Sequence, residues 1–238
     1  MAATRPSSRR PDRPQQRCLA LRGRPTRGGA RPGAGRKRTG NTRVPHRTRP
    51  THRAYHPAHT TLRAVRLGFS LRRRRLFYAL RSALSRSHKE PGFRVVHFSV
   101  QSNHAHFIVE AQDKVALARG MQGLAIRFAQ TVNRLYSRRG SVWSERYHAR
   151  ALRSPREVRN ALVYVLANVA QYRARPPGTA DVCSSAPWFD GFSRPPIIGP
   201  DGRAPRPVAS PTTWLARIGW RRLGLIDPDE VPRAARPV

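Results

Sequence analysis

The stretch Phe93-Arg-Val-Val-His-Phe-Ser-Val-Gln-Ser-Asn-His-Ala-His-Phe-Ile-Val-Glu-Ala111 decides how this chain folds. Two runs rich in valine, phenylalanine and isoleucine flank Ser102-Asn103, which reads as strand, tight turn, strand. The connection is too short for a crossover, so the two strands must be antiparallel. Side chains alternate along a strand, which sends His104 and His106 to one face and Ala105 to the other. Two residue rises separate the histidines by about 7 Å at Cα, close enough for both imidazoles to reach one divalent cation. Two imidazoles leave a coordination shell incomplete, and a third ligand with waters is expected from a helix crossing the same face. The plainer alternative is a pair of surface or phosphate-contacting histidines.

Working outward, Pro91 and Gly92 end an amphipathic helix predicted from Leu71 to about His88. Its Leu76, Phe77, Leu80 and Leu84 recur at helical spacing beneath a skin of Arg72 to Arg75 and Arg81. Before it, His59 to Leu67 alternates and is rich in β-branched residues, which predicts a first strand closed by Gly68. After the central stretch, Leu117, Met121, Leu124, Phe128, Val132 and Leu135 define one buried helical stripe, expected to stop at Arg139-Gly140. A short strand is expected across Val142 to Leu152. Ser154-Pro-Arg-Glu157 then has the form of a capping box with proline at the first helical position, opening a helix to about Tyr172. The order β-α-β-β-α-β with an added helix predicts an α+β, ferredoxin-like (split βαβ) fold. In that fold an antiparallel sheet carries helices on one face and leaves the other open to a ligand.

The flanks differ in kind. Residues 1–53 lack apolar periodicity and interleave glycine with arginine, so they are expected to form a disordered basic arm, lying along phosphates or simply solvated. Residues 54–175 form the expected domain. Residues 176–238 read as a proline-rich tail with one short helix around Thr213 to Gly224. Lys and Arg total 47 against 12 Asp and Glu, a formal charge of +35, which points to a polyanionic partner even after allowing for a GC-rich coding bias. No apolar run approaches the roughly 20 residues that span a bilayer, so nucleic acid is favoured over membrane. Cys18 and Cys183 stand far apart and support neither a disulfide framework nor a zinc ribbon. The basic N-terminus lacks the apolar segment of a secretory signal, which makes a cytoplasmic, nucleoid-associated protein the expectation.

The run Val96 to Glu110, followed by Val132-Asn-Arg-Leu-Tyr-Ser-Arg-Arg-Gly-Ser-Val-Trp-Ser-Glu-Arg-Tyr147, resembles the REP-associated tyrosine transposases and related insertion-sequence transposases of the HUH superfamily. Asn103, His104, His106 and Val109 match the histidine motif. Asn133, Arg134, Gly140, Trp143, Arg146 and Tyr147 match the segment after the helix. The resemblance implies a transposase that cleaves and transfers single-stranded or hairpin DNA through a phosphotyrosine, with Mg²⁺ or Mn²⁺ on His104 and His106, commonly as a homodimer.

In that alignment the nucleophile's position holds Phe128, which has no reactive oxygen. Tyr136 is then the candidate catalytic residue, the alternative being an ordinary boundary aromatic, and Tyr147 ranks lower. Asn133 is the candidate third metal ligand, ahead of Gln130. Arg127, Arg134, Arg138, Arg139, Arg146 and Arg150 are assigned as a group to the DNA backbone. The competing function is a catalytically inactive relative serving as a DNA- or RNA-binding module.

Overall fold

In the computed structural model, which describes residues 50–85, 91–167, 176–199 and 204–231, the central stretch forms the expected hairpin. Strand β2 (Phe93–Val100) pairs antiparallel with β3 (His104–Ala111), from Phe93 opposite Ala111 to Val100 opposite Ala105. The Gln101 N–H donates to the His104 carbonyl at 2.8 Å, which closes the turn. The register shifts between Val95 and His97. That bulge at Val96 resets the alternation, so Phe93, Val95, Phe98 and Val100 all reach the same core.

Strand β1 (Ala58–Arg63) lies between β3 and β4 (His148–Ala151) and is antiparallel to both, giving the order β2-β3-β1-β4. This is the predicted α+β architecture. Strand β1 is shorter than the alternation of His59 to Leu67 implies, and β4 is shorter than Val142 to Leu152. Ala64 meets Trp143 at an isolated bridge, flanked by Ser144 N–H to Arg63 O and Val65 N–H to Val142 O, both at 2.9 Å, in a register different from that of Thr61 opposite His148.

Helices α1 (Arg74–Ser85) and α2 (Lys114–Leu135) share one face of the sheet. Asp113 caps α2 by accepting from Val115 N and Ala116 N, both at 2.7 Å. The helix ends before Gly140. Ser137 takes a positive φ of 48°, with Ser137 N–H bonded to Arg134 O at 3.4 Å and Arg138 N–H to Asn133 O at 2.9 Å. This is a Schellman closure with serine where glycine is usual. The predicted end of the first helix near His88 and of the last near Tyr172 lies outside the described residues, as does the N-terminal segment to residue 49.

Helix α3 (Pro155–Ala167) lies on the opposite face, so that face is not open as expected. The capping box forms on one side: Glu157 N–H donates to Ser154 Oγ at 3.2 Å, whereas the Glu157 carboxylate reaches one residue further back and accepts from Arg153 N–H. Its apolar side joins Ile108 and Leu152 in a second core, completed by Ala180, Phe189, Leu215, Trp220 and Ile226 from the C-terminal segment. That segment contains α4 (Trp214–Arg217) and two 3₁₀ turns, Ala186–Trp188 and Gly219–Leu223. It is more than extended chain, because its aromatic residues have apolar surface to bury.

The same segment covers the outer edge of β2. Val100 N–H donates to Cys183 O at 2.8 Å, Ser185 N–H to Phe98 O at 2.9 Å, and Ala209 N–H to Val95 O at 2.9 Å. Buried Asp181 holds Arg72 through two bonds of 2.6 and 3.0 Å, and Arg159 of α3 holds Glu230 through two of 2.6 and 2.8 Å. Cys183 is buried in the first core. Among the described residues no helix is long and apolar enough to cross a membrane.

Candidate active site

Alternation along β3 divides its residues between the two cores. Ala105, Phe107 and Val109 point to α1 and α2, whereas His104, His106 and Ile108 point to the side of α3. Strand pairing brings further polar residues to the histidine face: Thr61 of β1 stands opposite both His106 and His148, and His59 stands opposite both Ile108 and Arg150. The His104 and His106 rings lie 4.7 Å apart between centroids, and His59 lies 5.3 Å from His106. Tyr164 of α3 presents edge to face, 4.9 Å from His106 and 5.7 Å from His59.

These imidazoles are neutral at ordinary pH. Burial, reinforced by His59 and His104, pushes His106 down to about 2, and burial with His148 and Arg150 nearby pushes His59 down to about 4. Burial and Arg63 also lower His104. The His106 Nδ1 has Thr61 Oγ1 at 3.1 Å and His59 Nε2 at 3.3 Å, whereas its Nε2 is buried without a hydrogen-bond partner. A neutral imidazole with an orphaned inward nitrogen suits a cation ligand. Among the described residues no three His, Cys, Asp or Glu side chains converge as a preformed metal cluster. The remaining positions would fall to water or to a bound ligand, as Mg²⁺ tolerates.

Beside the histidines runs a cleft of about 840 Å³, lined by His59, Arg150, Arg156, Arg159, Asn160 and Tyr164 among others. Carboxylates orient two of its arginines: Arg150 bonds Glu157 at 3.0 Å, and Arg159 bonds Glu230.

Helix α2 does not cross the histidine face, contrary to the expectation that placed Tyr136 and Asn133 beside the pair. Tyr136 caps the C-terminus of α2 and stacks on Phe69 with centroids 3.9 Å apart. Asn133 donates from Nδ2 to Gly140 O at 3.0 Å, and Gln130 is exposed. Phe128 is fully buried against Phe107 and Trp143, as its stripe implied. Tyr147 is buried as well.

Of the six assigned arginines, Arg150 alone lines the cleft. Arg127, Arg134, Arg138 and Arg139 belong to α2 and the turn after it, and Arg146 is exposed ahead of β4. Sequence reasoning passed over His59, Thr61, Asn160 and Tyr164. The available signal was the spacing of Asn160 and Tyr164, which share one side of α3 apart from the Val158, Leu162, Val165 and Leu166 stripe.

Residues 70–167 match the family model described as "Transposase IS200 like". A solved structure of a REP-associated tyrosine transposase bound to a REP hairpin is 15% identical, with a TM-score of 0.46, over 54% of this chain and 74% of that one. No curated protein matches.

Proposed function

We propose, from the match of residues 70–167 to the IS200-like transposase family model, that the chain cleaves and rejoins single-stranded or hairpin DNA with Tyr164 as nucleophile. The observation that carries this reading is the position of Tyr164, edge-on to His106 at 4.9 Å in the wall of an arginine-lined cleft. His104 and His106 are the residues that would hold a divalent cation, Mg²⁺ or Mn²⁺. When bound, it would draw off charge developing on the phosphoryl oxygens.

The chain's own groups do the rest. Arg150 and Arg156 hold backbone phosphates on either side of the scissile one, and Arg159 joins them when DNA displaces the Glu230 carboxylate. The Tyr164 Oη gives up its proton and bonds to phosphorus while the ester oxygen leaves as a hydroxyl. The phosphotyrosine keeps the bond energy until a hydroxyl of another DNA end attacks and restores the tyrosine. A homodimer would supply the two sites that coordinated cleavage of two ends requires. The basic segment up to residue 53 would add sequence-independent, salt-dependent affinity for DNA.

A labelled single-stranded hairpin oligonucleotide incubated with the full chain and Mn²⁺ tests this reading. A covalent adduct is expected for the wild type and for Tyr136→Phe, and none for Tyr164→Phe. An adduct that survives Tyr164→Phe rejects the nucleophile. If the wild type yields no adduct on hairpin DNA but binds it tightly, the inactive binding module is the better description.

A further inference from the structure

Strand β1 contributes no residue to the histidine pair, yet it touches one member of it. We propose that His59 and Thr61 are positioning residues that keep the proton of His106 on Nδ1, so that its Nε2 presents a lone pair. This rests on the reading that the pair holds a cation.

A neutral imidazole carries one donor and one acceptor nitrogen, and hydrogen-bonding partners decide which is which. Around His106 the partners lie on one side only: Thr61 Oγ1 at 3.1 Å and His59 Nε2 at 3.3 Å from Nδ1. Its Nε2 is buried with no partner. A proton on Nε2 would therefore be a buried donor without an acceptor. A proton on Nδ1 has two acceptors, provided that His59 carries its own proton on Nδ1.

The antiparallel register builds this arrangement. Thr61 is directly opposite His106, and His59 is two residues further along the same face of β1. His104 reaches the same state by a separate route, because its Nδ1 lies 2.8 Å from Asn103 Oδ1, an acceptor. Both histidines of the pair thus offer Nε2, one fixed from the hairpin turn and the other from the neighbouring strand. Outer partners of this kind set the orientation and basicity of metal-ligating histidines.

Two measurements on the full chain decide the matter. In ¹⁵N-labelled, metal-free protein, long-range ¹H–¹⁵N correlation spectra should show His106 as the Nδ1–H tautomer, with that preference lost in the His59→Leu/Thr61→Val double variant. Mn²⁺ affinity, read by electron paramagnetic resonance, should fall about 10- to 100-fold in the double variant. It should be largely recovered in His59→Gln, whose amide oxygen can accept from Nδ1–H. Thr61→Val alone, nearly isosteric, should weaken Mn²⁺ binding in the same direction and serves if the double variant unfolds. An Nε2–H tautomer in the wild type, or unchanged affinity in the folded variants, would overturn the proposal. If the wild type binds no Mn²⁺, or binding survives His106→Ala, the metal reading itself fails, while the metal-free spectra still decide the tautomer.

Discussion

Glu110 shows how one side chain can hold a segment a hundred residues away. It is 4% exposed and projects from β3 on the histidine side. Its carboxylate accepts from Thr212 N and Oγ1 and from Thr213 N and Oγ1, at 2.7 to 3.1 Å. Arg94 lies 3.8 Å away. Thr213 is also the N-cap of α4, so one acidic group fixes the point where the C-terminal segment turns into its helix. Glu110→Gln aims an amide N–H₂ at donors. The expected cost is about 1–3 kcal/mol for groups left unsatisfied, with the Thr212 and Thr213 amides losing protection in hydrogen exchange. Unchanged protection there would reject the anchoring role. Nothing around Glu110 in the sequence marks it as an anchor, since its partners come from so far along the chain.

At the scale of an element, Gly120 in the middle of α2 reverses the usual rule. Glycine in a helix interior costs about 1 kcal/mol relative to alanine, so propensity favours Gly120→Ala. Here a Cβ would stand 2.1 Å from the Phe93 ring, and that ring is a 3% exposed part of the core. Position 120 lets α2 come up against the Phe93 ring of β2 because it has no side chain. Gly120→Ala is expected to destabilise the protein by about 1–3 kcal/mol through overpacking, lowering the urea midpoint. A raised midpoint would show that propensity wins and that the contact relaxes freely. The six apolar positions of α2 were legible from spacing alone, because a helix repeats every 3.6 residues whatever it packs against. Which sheet face receives that stripe was not legible, and neither was the closure of the helix through Ser137 in place of Gly140.

The whole molecule buries neutral histidines that acid must eventually charge. His97 of β2 is held down to about 3 by burial, with Arg206 adding repulsion, and its Nδ1 lies 3.2 Å from Ser185 Oγ of the C-terminal segment. Unfolding returns it to its ordinary value of 6.5, so the unfolded chain binds the extra proton between those values. Stability is fully present above pH 6.5 and declines as pH falls towards 3, by roughly 1.4 kcal/mol per pH unit for this group. Urea midpoints should therefore drop between pH 7 and pH 5, and the drop should shrink in His97→Gln. Equal midpoints at the two pH values would contradict this. The loss is expected to be cooperative, because His97 sits where the sheet meets the C-terminal segment.

The sequence by itself determined the hairpin of residues 93–111, the two helices α1 and α2, the start of α3, the shared face of His104 and His106, and the family resemblance that this pair carries. Each of these follows from local periodicity, from turn and capping chemistry, or from a motif contiguous in the chain. Tertiary structure decided that β1 lies beside β3, which brings His59 and Thr61 to His106, and that α3 rather than α2 crosses the histidine face with Tyr164. It also decided that the C-terminal segment completes a second core with α3. Such pairings join residues far apart in sequence and are selected by burial and by complementary hydrogen bonds across the sheet. No local pattern records them. For the same reason the sequence pointed to Tyr136, close along the chain to the motif, whereas the tyrosine beside His106 in the structure is Tyr164 of α3.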